Sequence, residues 1–180
     1  MSAAELMSML APHGPRITGM GFGGIPSLTP QDIAGALGMG GLDRPAYWFG
    51  LLKYAGDDSV AHRVNQCIRI GVGAIAKDQG WKLTDRELAC LCEITLREGL
   101  TSPVCPACNG SGSVAAKDCE RCHGVGRIPM SSRQPAALTG VPETTWRRVW
   151  KPRADDCYRI VVRWESAVEM HLRKHFWHGY

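Results

Sequence analysis

Apolar residues recur at helical spacing along three stretches of the chain. From Asp57 to Lys77 this spacing predicts one long helix. Its predicted core side chains are Val60, Val64, Cys67, Ile68, Val72 and Ile75. A second helix is predicted to begin at Thr84, which forms a capping box with Glu87, and to end at Gly99. The third helix follows Asp155, and its apolar stripe is Tyr158, Val161, Trp164, Val168 and Leu172.

Two shorter helices are predicted nearer the N-terminus. Thr29 and Pro30 suit the N-cap and first position of a helix that ends near Gly38, and an aromatic-rich helix is expected at residues 44–54. Residues 11–28 contain five glycines and three prolines without periodicity, which is typical of a loose arm. We therefore predict a mainly α fold with a flexible arm (residues 1–28) and a helical body (residues 29–103).

The helical pattern stops at Pro103 and gives way to a repeated phrase, Cys-x-x-Cys-x-Gly-x-Gly, each copy of which we call a knuckle. The four cysteines are Cys105, Cys108, Cys119 and Cys122. Two knuckles supply four thiolates, the ligand set of a closed structural zinc site. We predict that residues 104–127 form a zinc ribbon, with a short β-hairpin or loop, around one Zn²⁺. Gly110 and Gly124 are expected to supply positive φ, and His123 is expected not to be a ligand.

The remaining cysteines, Cys67, Cys90, Cys92 and Cys157, fit small buried apolar positions better than a disulfide framework. The N-terminus lacks the charged start of a secretory signal, so a cytoplasmic protein is expected. No run of about eighteen apolar residues predicts a membrane-spanning helix.

Residues 128–180 are predicted to hold a helix-turn-helix followed by the C-terminal helix. This motif needs a small residue in its first helix, a glycine at the turn, and apolar anchors after it. The residues at those places are Ala136, Gly140, Val141, Trp146 and Val149. Pro135 and Thr139 depart from the usual pattern, because the first shortens the first helix and the second occupies a place that is usually apolar.

Positive charge is concentrated in the same part of the chain. Residues 101–180 contain 12 Lys and Arg against 7 Asp and Glu, whereas residues 1–100 contain 9 against 10. Such an asymmetry favours a polyanionic partner, here double-stranded DNA, although a solvated basic helix pair has the same composition. The predicted DNA-binding residues are Arg133, Glu143, Thr144, Thr145, Arg147, Arg148 and Lys151. Arginine can pair with guanine, and Thr or Lys can hold phosphates.

The knuckle phrase resembles the cysteine-rich region of DnaJ-type co-chaperones. That family has four knuckles and a J-domain with His-Pro-Asp, whereas this chain has two knuckles and no such tripeptide. The resemblance is therefore local. A zinc-dependent chaperone or thiol-disulfide module is a weaker hypothesis, which suppression of aggregation would support.

The longer stretch CERCHGVGRIPMSSRQPAALTGVPETTWRRVWKP resembles the Q family of late-gene antitermination proteins of lambda-type phages. The likeness is dense from Cys105 to Leu172 and rests on the paired knuckles followed by Thr145, Trp146, Arg148, Lys151 and Pro152. The segment between the knuckles is shorter than in the family, and the N-terminal arm differs.

This resemblance implies a protein that binds a DNA element near the late promoter and engages paused RNA polymerase. The implied partners are the β flap of bacterial RNA polymerase and region four of the primary sigma factor, in the cytoplasm of the bacterial host. The loaded polymerase then ignores terminators. A second copy of the chain on DNA is a further candidate partner.

Two other hypotheses concern activity. A zinc-containing helix-turn-helix regulator acting at initiation would share the helix pair but never change terminator read-through. An enzyme using a Cys-His pair is disfavoured, because no free cysteine has a histidine and an orienting carboxylate at recognisable spacing. We therefore expect a protein without enzymatic activity.

Overall fold

The protein is mainly helical, as predicted. A computed structural model describes residues 28–176 apart from residues 116, 123, 125 and 129. The predicted arm, except for Leu28, and His123 lie outside the described residues. The helices are α1 (Pro30–Gly38), α2 (Arg44–Gly50), α3 (Ala61–Asp78), α4 (Asp85–Thr101), α5 (Arg133–Thr139), α6 (Glu143–Thr145) and α7 (Lys151–Phe176).

Three short helical turns, one tighter and two wider than an α-helix, extend these helices. A π-helical turn, Leu51–Ala55, continues α2, and a 3-10 turn, Asp58–Val60, leads into α3. A second π-helical turn, Trp146–Trp150, joins α6 to α7. The aromatic-rich helix expected at residues 44–54 is thus present, and its last residues adopt the wider π-helical form.

Two helices begin at capping boxes: the one at Thr84 was predicted, whereas at Thr29 only the N-cap was predicted and the return contact from Asp32 is an addition. The Thr29 hydroxyl accepts a hydrogen bond from the Asp32 amide at 3.2 Å, and the Asp32 carboxylate accepts one from the Thr29 amide at 2.9 Å. Thr84 and Glu87 repeat this exchange at the start of α4, with distances of 3.3 and 2.7 Å. Each box satisfies two backbone donors that a helix N-terminus leaves without partners.

α7 is central to the core, since it packs against α1, α2, α3 and α4. Its predicted apolar stripe is confirmed: Tyr158, Val161, Trp164, Val168 and Leu172 are all buried. On the side of α3, the buried members of the predicted set are Val60, Val64, Ile68 and Val72, whereas Cys67 and Ile75 are half-buried. The helical periodicity therefore correctly identified the faces of α3 and α7 that are buried in the core.

Gly99 does not terminate its helix, so that prediction was wrong. α4 continues to Thr101, and Gly99 is buried inside it. A Cβ atom at this position would lie 2.5 Å from Cγ1 of Val161. The glycine is required because it lets α4 approach α7 closely, and a helix-terminating glycine cannot be distinguished from a packing glycine by sequence pattern alone.

The second helix of the predicted pair and the C-terminal helix are continuous, whereas the sequence predicted two separate helices. Residues 143–176 follow one helical path through α6, the π-helical turn and α7, although the apolar stripe predicted the C-terminal helix only from Asp155 onward. Pro152 has no amide hydrogen and its ring crowds the carbonyl group four residues before it, that of Arg148. The wide π-helical turn lies at this place and lets the path continue through the proline.

Candidate metal centre and nucleic-acid interface

The four predicted ligands come together as one buried group, which we call the four-cysteine cluster. Its members are Cys105, Cys108, Cys119 and Cys122, and their sulfur atoms all lie within 4.8 Å of one another. The Sγ atoms of Cys105 and Cys119 are 3.9 Å apart, and those of Cys108 and Cys122 are 3.6 Å apart. Sulfur atoms around a tetrahedral ion at a bond length of about 2.3 Å are about 3.8 Å apart. The cluster can therefore hold one metal ion.

The chain around the cluster, residues 104–127, is here called the knuckle segment. Two short antiparallel strands, β1 (Ser113–Val114) and β2 (Lys117–Asp118), form the predicted hairpin between the knuckles. At the base of the segment Val104 pairs with Arg127, and the Ile128 amide donates to the Pro103 carbonyl at 3.0 Å. The segment is thus closed at both ends, by the hairpin and by this base.

The two knuckles hold each other by an exchange of backbone hydrogen bonds. The Cys105 amide donates to the Gly126 carbonyl at 2.9 Å, and the Cys119 amide donates to the Gly112 carbonyl at 2.8 Å. In each case the first cysteine of one knuckle binds the last glycine of the other. The repeated phrase in the sequence therefore forms a pair of units related by an approximate two-fold exchange.

All four glycines of the repeat have positive φ. The values are 83° at Gly110, 76° at Gly112, 84° at Gly124 and 79° at Gly126. The prediction for Gly110 and Gly124 is confirmed, and the second glycine of each phrase was missed. Glycine adopts positive φ without the steric cost of a Cβ atom. Each knuckle therefore needs its own two glycines to turn the backbone, just as it supplies its own two cysteines.

Burial raises the pKa of the Cys122 thiol to about 11, although the Gly126 amide, which donates to the Cys122 sulfur at 3.1 Å, opposes this shift. Hydrogen bonds with the other three sulfur atoms also contribute to this raised pKa. A cation at the centre would have to displace these protons, so metal binding would release protons and weaken as the pH falls. Four sulfur ligands also leave no open position for a substrate or water.

Arg127, at the end of the knuckle segment, is bound to the helical body by a buried carboxylate on α7. Its Nε donates to Oε2 of Glu165 at 2.7 Å, and its second nitrogen, Nη2, donates to Oε1. Its remaining nitrogen, Nη1, donates to the Ser102 carbonyl at 2.9 Å. Glu165 also accepts from Lys53 at 2.6 Å and from the Tyr54 hydroxyl at 2.7 Å. One carboxylate thus joins the segment, the first π-helical turn and α7.

The charges around Glu165 compensate for its burial. Burial alone would raise the pKa of Glu165, but the nearby charges of Lys53 and Arg127 hold it below its ordinary value. These contacts do not follow from spacing along the sequence, because their members are separated by up to 112 residues. One signal was available: Glu165 follows Trp164 on the apolar face of α7, where a charged side chain needs a buried partner.

Most of the predicted DNA-binding residues lie on the surface. Arg133, Thr144, Arg147, Arg148 and Lys151 are exposed, and Glu143 and Thr145 are half-buried. All but Arg133 belong to the path from α6 into α7, and Arg133 is the first residue of α5. The structure brings them to neighbouring elements, and their role in binding DNA stays a prediction.

The helix pair has a glycine at its turn, as predicted. Gly140 ends α5 with a φ of 70°, and α6 begins three residues later at Glu143. Of the predicted anchors, Ala136 and Trp146 are buried, whereas Val141 and Val149 are half-buried. A helix, a turn and a second helix are therefore present, and the use of this pair as a DNA-binding helix-turn-helix stays a prediction.

Thr139, the polar residue at a place that is usually apolar, is accommodated by its own helix. Its hydroxyl lies 2.9 Å from the Pro135 carbonyl and 3.1 Å from the Ala136 carbonyl and donates to these acceptors. Such back-bonding satisfies the hydroxyl without another element. The departure from the sequence pattern is therefore local and leaves the turn at Gly140 intact.

Ion pairs already engage part of this surface. Glu143 lies 2.6 Å from Arg147 and 3.9 Å from Arg133, and Lys151 lies 2.6 Å from Asp155. Within the described residues, Arg148 has no carboxylate partner at ion-pair distance. Exposed pairs of this kind contribute little to stability. Their charges therefore remain available to a partner that offers a stronger anion.

A stacked guanidinium holds the start of α7 against the body. The Cζ atom of Arg153 lies 5.4 Å from the ring centroid of Trp81, in the connection between α3 and α4, and 5.3 Å from that of Trp150. Both rings therefore offer a cation–π contact to the same charge. These contacts hold the junction between the π-helical turn, which bears Arg147 and Arg148, and α7, which begins at Lys151, against the body.

The other four cysteines differ in burial. Cys92 and Cys157 are buried, and Cys67 and Cys90 are half-buried, so the prediction of buried apolar positions holds fully only for the first two. Burial raises the pKa of Cys157 to about 12 and also raises that of Cys92. Thiols with raised pKa values are poor nucleophiles, because the thiolate is the reactive form.

No helix among the described residues is both long and apolar enough to cross a membrane. No protein-family model, curated protein or solved structure matches this chain. The site is therefore interpreted from its own residues.

Proposed function

We propose that this protein is a DNA-binding transcription antitermination factor of phage late genes, with one structural Zn²⁺ and no enzymatic activity. The observation that carries the proposal is the order of two features: the four-cysteine cluster is followed at once by a helix pair that exposes Arg147, Arg148 and Lys151. The same order underlies the resemblance to the Q family.

Contact with DNA is supported by the charge and placement of the exposed side chains. Thr144, Arg147, Arg148 and Lys151 lie within eight consecutive positions at the start of a long helical path, and Trp146 fixes this part to the core. A helix of this kind can enter a major groove with its first turns against the bases. The pair α5 and α6 then acts as a helix-turn-helix, with Arg133 and Glu143 at its edge.

Zinc is the metal that the ligand set favours. Four cysteine sulfurs at the corners of a tetrahedron suit Zn²⁺ better than Mg²⁺ or Ca²⁺, which prefer oxygen. Cys105, Cys108, Cys119 and Cys122 would hold the ion, and its charge would stabilise their thiolates. The zinc has a structural role in this proposal, since four ligands close the site.

Engagement of RNA polymerase rests on the resemblance, and the attachment of the knuckle segment is compatible with it. The segment is fixed to the body by Arg127, so a contact made at its hairpin would be rigidly related to the DNA-binding helices. The proposed partners are the β flap of bacterial RNA polymerase and region four of its primary sigma factor. Both would be met in the cytoplasm of the bacterial host.

The test begins with selection of bound duplexes from a random DNA library. The selected site is then placed next to a late promoter and footprinted with and without a stalled polymerase. Read-through of an intrinsic terminator in a purified transcription reaction gives the functional result. Arg148→Ala should weaken binding to the selected site and reduce read-through together. Arg163→Ala is the matched control, because it removes the same charge from an exposed position further along α7.

Three outcomes distinguish the hypotheses. Protection of the selected site together with read-through supports antitermination. Protection with altered initiation and unchanged read-through instead supports the zinc-containing regulator of initiation. Failure of the zinc-loaded protein to select any duplex removes the DNA-binding function altogether.

A further inference from the structure

Residues 127–132 connect the knuckle segment to α5, and two contacts hold this connection against the body. At its start, the Arg127 guanidinium binds both carboxylate oxygens of Glu165 on α7. At its middle, the Met130 amide donates to the Glu98 carboxylate on α4 at 3.3 Å. The first residue of α5, Arg133, follows three positions later. The place of α5 is therefore set partly by where the knuckle segment ends.

We propose that Arg127 is a positioning residue for DNA binding. It holds the knuckle segment and α5 in one orientation on α7, so that metal loading of the four-cysteine cluster and affinity for DNA are coupled. This inference rests on the proposed function, and it assigns a role to a residue that is not itself among the predicted DNA contacts.

The geometry of Arg127 suits such a role. Its side chain donates three hydrogen bonds, one to each carboxylate oxygen of Glu165 and one to the Ser102 carbonyl at the end of α4. A planar guanidinium that binds a carboxylate through two nitrogens fixes the orientation of both groups. A lysine keeps the charge but cannot reproduce this fork.

The backbone of Arg127 belongs to the base of the knuckle segment. It pairs with Val104, and the adjacent carbonyl of Gly126 accepts from the Cys105 amide. Beyond this base the described residues of the segment are held by two-residue strands and a few backbone hydrogen bonds, so a metal ion at the four-cysteine cluster would be its strongest internal crosslink. Metal loss would therefore loosen the backbone that presents the guanidinium to Glu165.

Glu165 lies on the helical path that carries most of the predicted DNA contacts. α7 carries Glu165 in its interior and Lys151 at its first residue, and the π-helical turn before it carries Arg148. Arg133, on α5, lies 3.9 Å from Glu143 on α6. Anchoring α5 to α7 through Arg127 thus keeps the two parts of the proposed interface in register.

The experiment compares four states of the full chain: wild type and Arg127→Gln, each loaded with zinc and stripped by a chelator. We measure affinity for the duplex selected by the wild type, or for random-sequence duplex DNA, and amide hydrogen exchange of residues 128–139. Zinc-loaded Arg127→Gln should retain one zinc per chain, lose about tenfold in DNA affinity, and exchange faster in residues 128–139. Stripping zinc from the wild type should have the same two effects.

Coupling predicts that the two losses do not multiply. Removing zinc from Arg127→Gln should therefore change DNA affinity far less than removing it from the wild type. Arg127→Lys should retain the charge and show an intermediate loss. Arg86→Gln is the matched control, since Arg86 is an exposed arginine at the other end of α4, and it should behave as wild type.

Three results would overturn the inference. The first is unchanged exchange of residues 128–139 when zinc is removed from the wild type, a measurement that needs no variant and no DNA. The second is wild-type DNA affinity in zinc-loaded Arg127→Gln. The third is that the losses of DNA affinity from zinc removal and from Arg127→Gln multiply independently. If the zinc-loaded wild type binds no DNA, the proposed function fails, and the exchange measurement alone decides whether Arg127 couples the segment to α5.

Discussion

Gly112 and Gly124 face each other inside the knuckle segment with no room for a side chain between them. A Cβ atom at Gly112 would lie less than 3.0 Å from the Gly124 carbonyl oxygen, and one at Gly126 would approach the Gly110 carbonyl in the same way. The two contacts are equivalent, and the second glycine of each knuckle makes one of them. Close approach of the two backbones is therefore a condition for bringing the four sulfur atoms together.

Gly112→Ala should disrupt the knuckle segment. The new Cβ atom meets a carbonyl oxygen and also forces alanine into positive φ, which together should cost at least about 2 kcal/mol. Zinc affinity measured by competition with a chromogenic chelator should fall accordingly. Gly56→Ala is the matched control, because Gly56 has a φ of 70° and open space around it. Equal effects of the two substitutions on zinc affinity would contradict this explanation.

Cys119→Ser should abolish stoichiometric zinc binding. The remaining three sulfur ligands leave one corner of the tetrahedron without a thiolate, and metal that was bound on folding would be lost. Elemental analysis should give one zinc per wild-type chain and close to none in the variant. Cys67→Ser, outside the four-cysteine cluster, should retain one zinc. Full zinc content in Cys119→Ser would show that Cys119 is not a required ligand.

Gly99→Ala should destabilise the fold although alanine favours helices. The added Cβ would lie 2.5 Å from Val161 on α7, and overpacking of this kind costs roughly 1–3 kcal/mol. Chemical denaturation gives the change in unfolding free energy. Gly73→Ala, on α3 with open space around it, should instead stabilise by up to about 1 kcal/mol.

A double substitution checks the cause of this effect. In Gly99→Ala/Val161→Ala the clash is removed, so the two changes should cost less together than the sum of their separate costs. Additive costs would place the effect of Gly99→Ala elsewhere than at Val161.

Arg148→Ala should reduce specific DNA affinity more than Arg147→Ala. Arg147 must give up its 2.6 Å ion pair with Glu143 before it binds DNA, whereas no such partner holds Arg148 among the described residues. If Arg148 reaches a base, its loss should cost roughly 1–3 kcal/mol and relax discrimination at one position of the site. Quantitative binding to single-base variants of the selected duplex measures both. An equal loss on every sequence would make Arg148 a phosphate contact.

Glu98→Gln should make the protein more stable at neutral pH. Burial raises the pKa of Glu98 above 4.5, so its contribution to stability is present below that value and is lost as the pH rises through the folded-state pKa. A glutamine oxygen can still accept from the Met130 amide without a buried charge. Urea unfolding should show a gain in unfolding free energy at about pH 8 that diminishes towards about pH 4. Glu120→Gln, at an exposed position, should show no such pH dependence.

The sequence was most informative where structure depends on neighbours along the chain. Local spacing predicted the N-cap at Thr29, the capping box at Thr84, the apolar stripe of α7 and the sulfur ligands, and the structure has each of them where the spacing predicts. Gly99 and the start of α7 were misjudged for the opposite reason. A glycine in contact with Val161 and a π-helical turn before Pro152 both depend on packing or on a rare backbone form that spacing does not encode.

The buried contacts around Glu165 show the same limit at the site itself. Lys53, Tyr54, Arg127 and Glu165 come from three distant parts of the chain, and each by itself has an ordinary sequence context. Only the fold brings three hydrogen-bond donors to one carboxylate. The second glycine of each knuckle was also hidden, because the atom it must avoid belongs to the other knuckle.

The stack of Arg153 between Trp81 and Trp150 has a consequence for how ionic strength should act on the protein. Contacts between exposed Arg or Lys side chains and phosphates weaken steeply as salt is added, because counterions compete for the phosphates. A half-buried guanidinium in contact with two indole rings is screened less than a fully exposed charge. Added salt should therefore release DNA from α6 and α7 while these helices stay packed against the core.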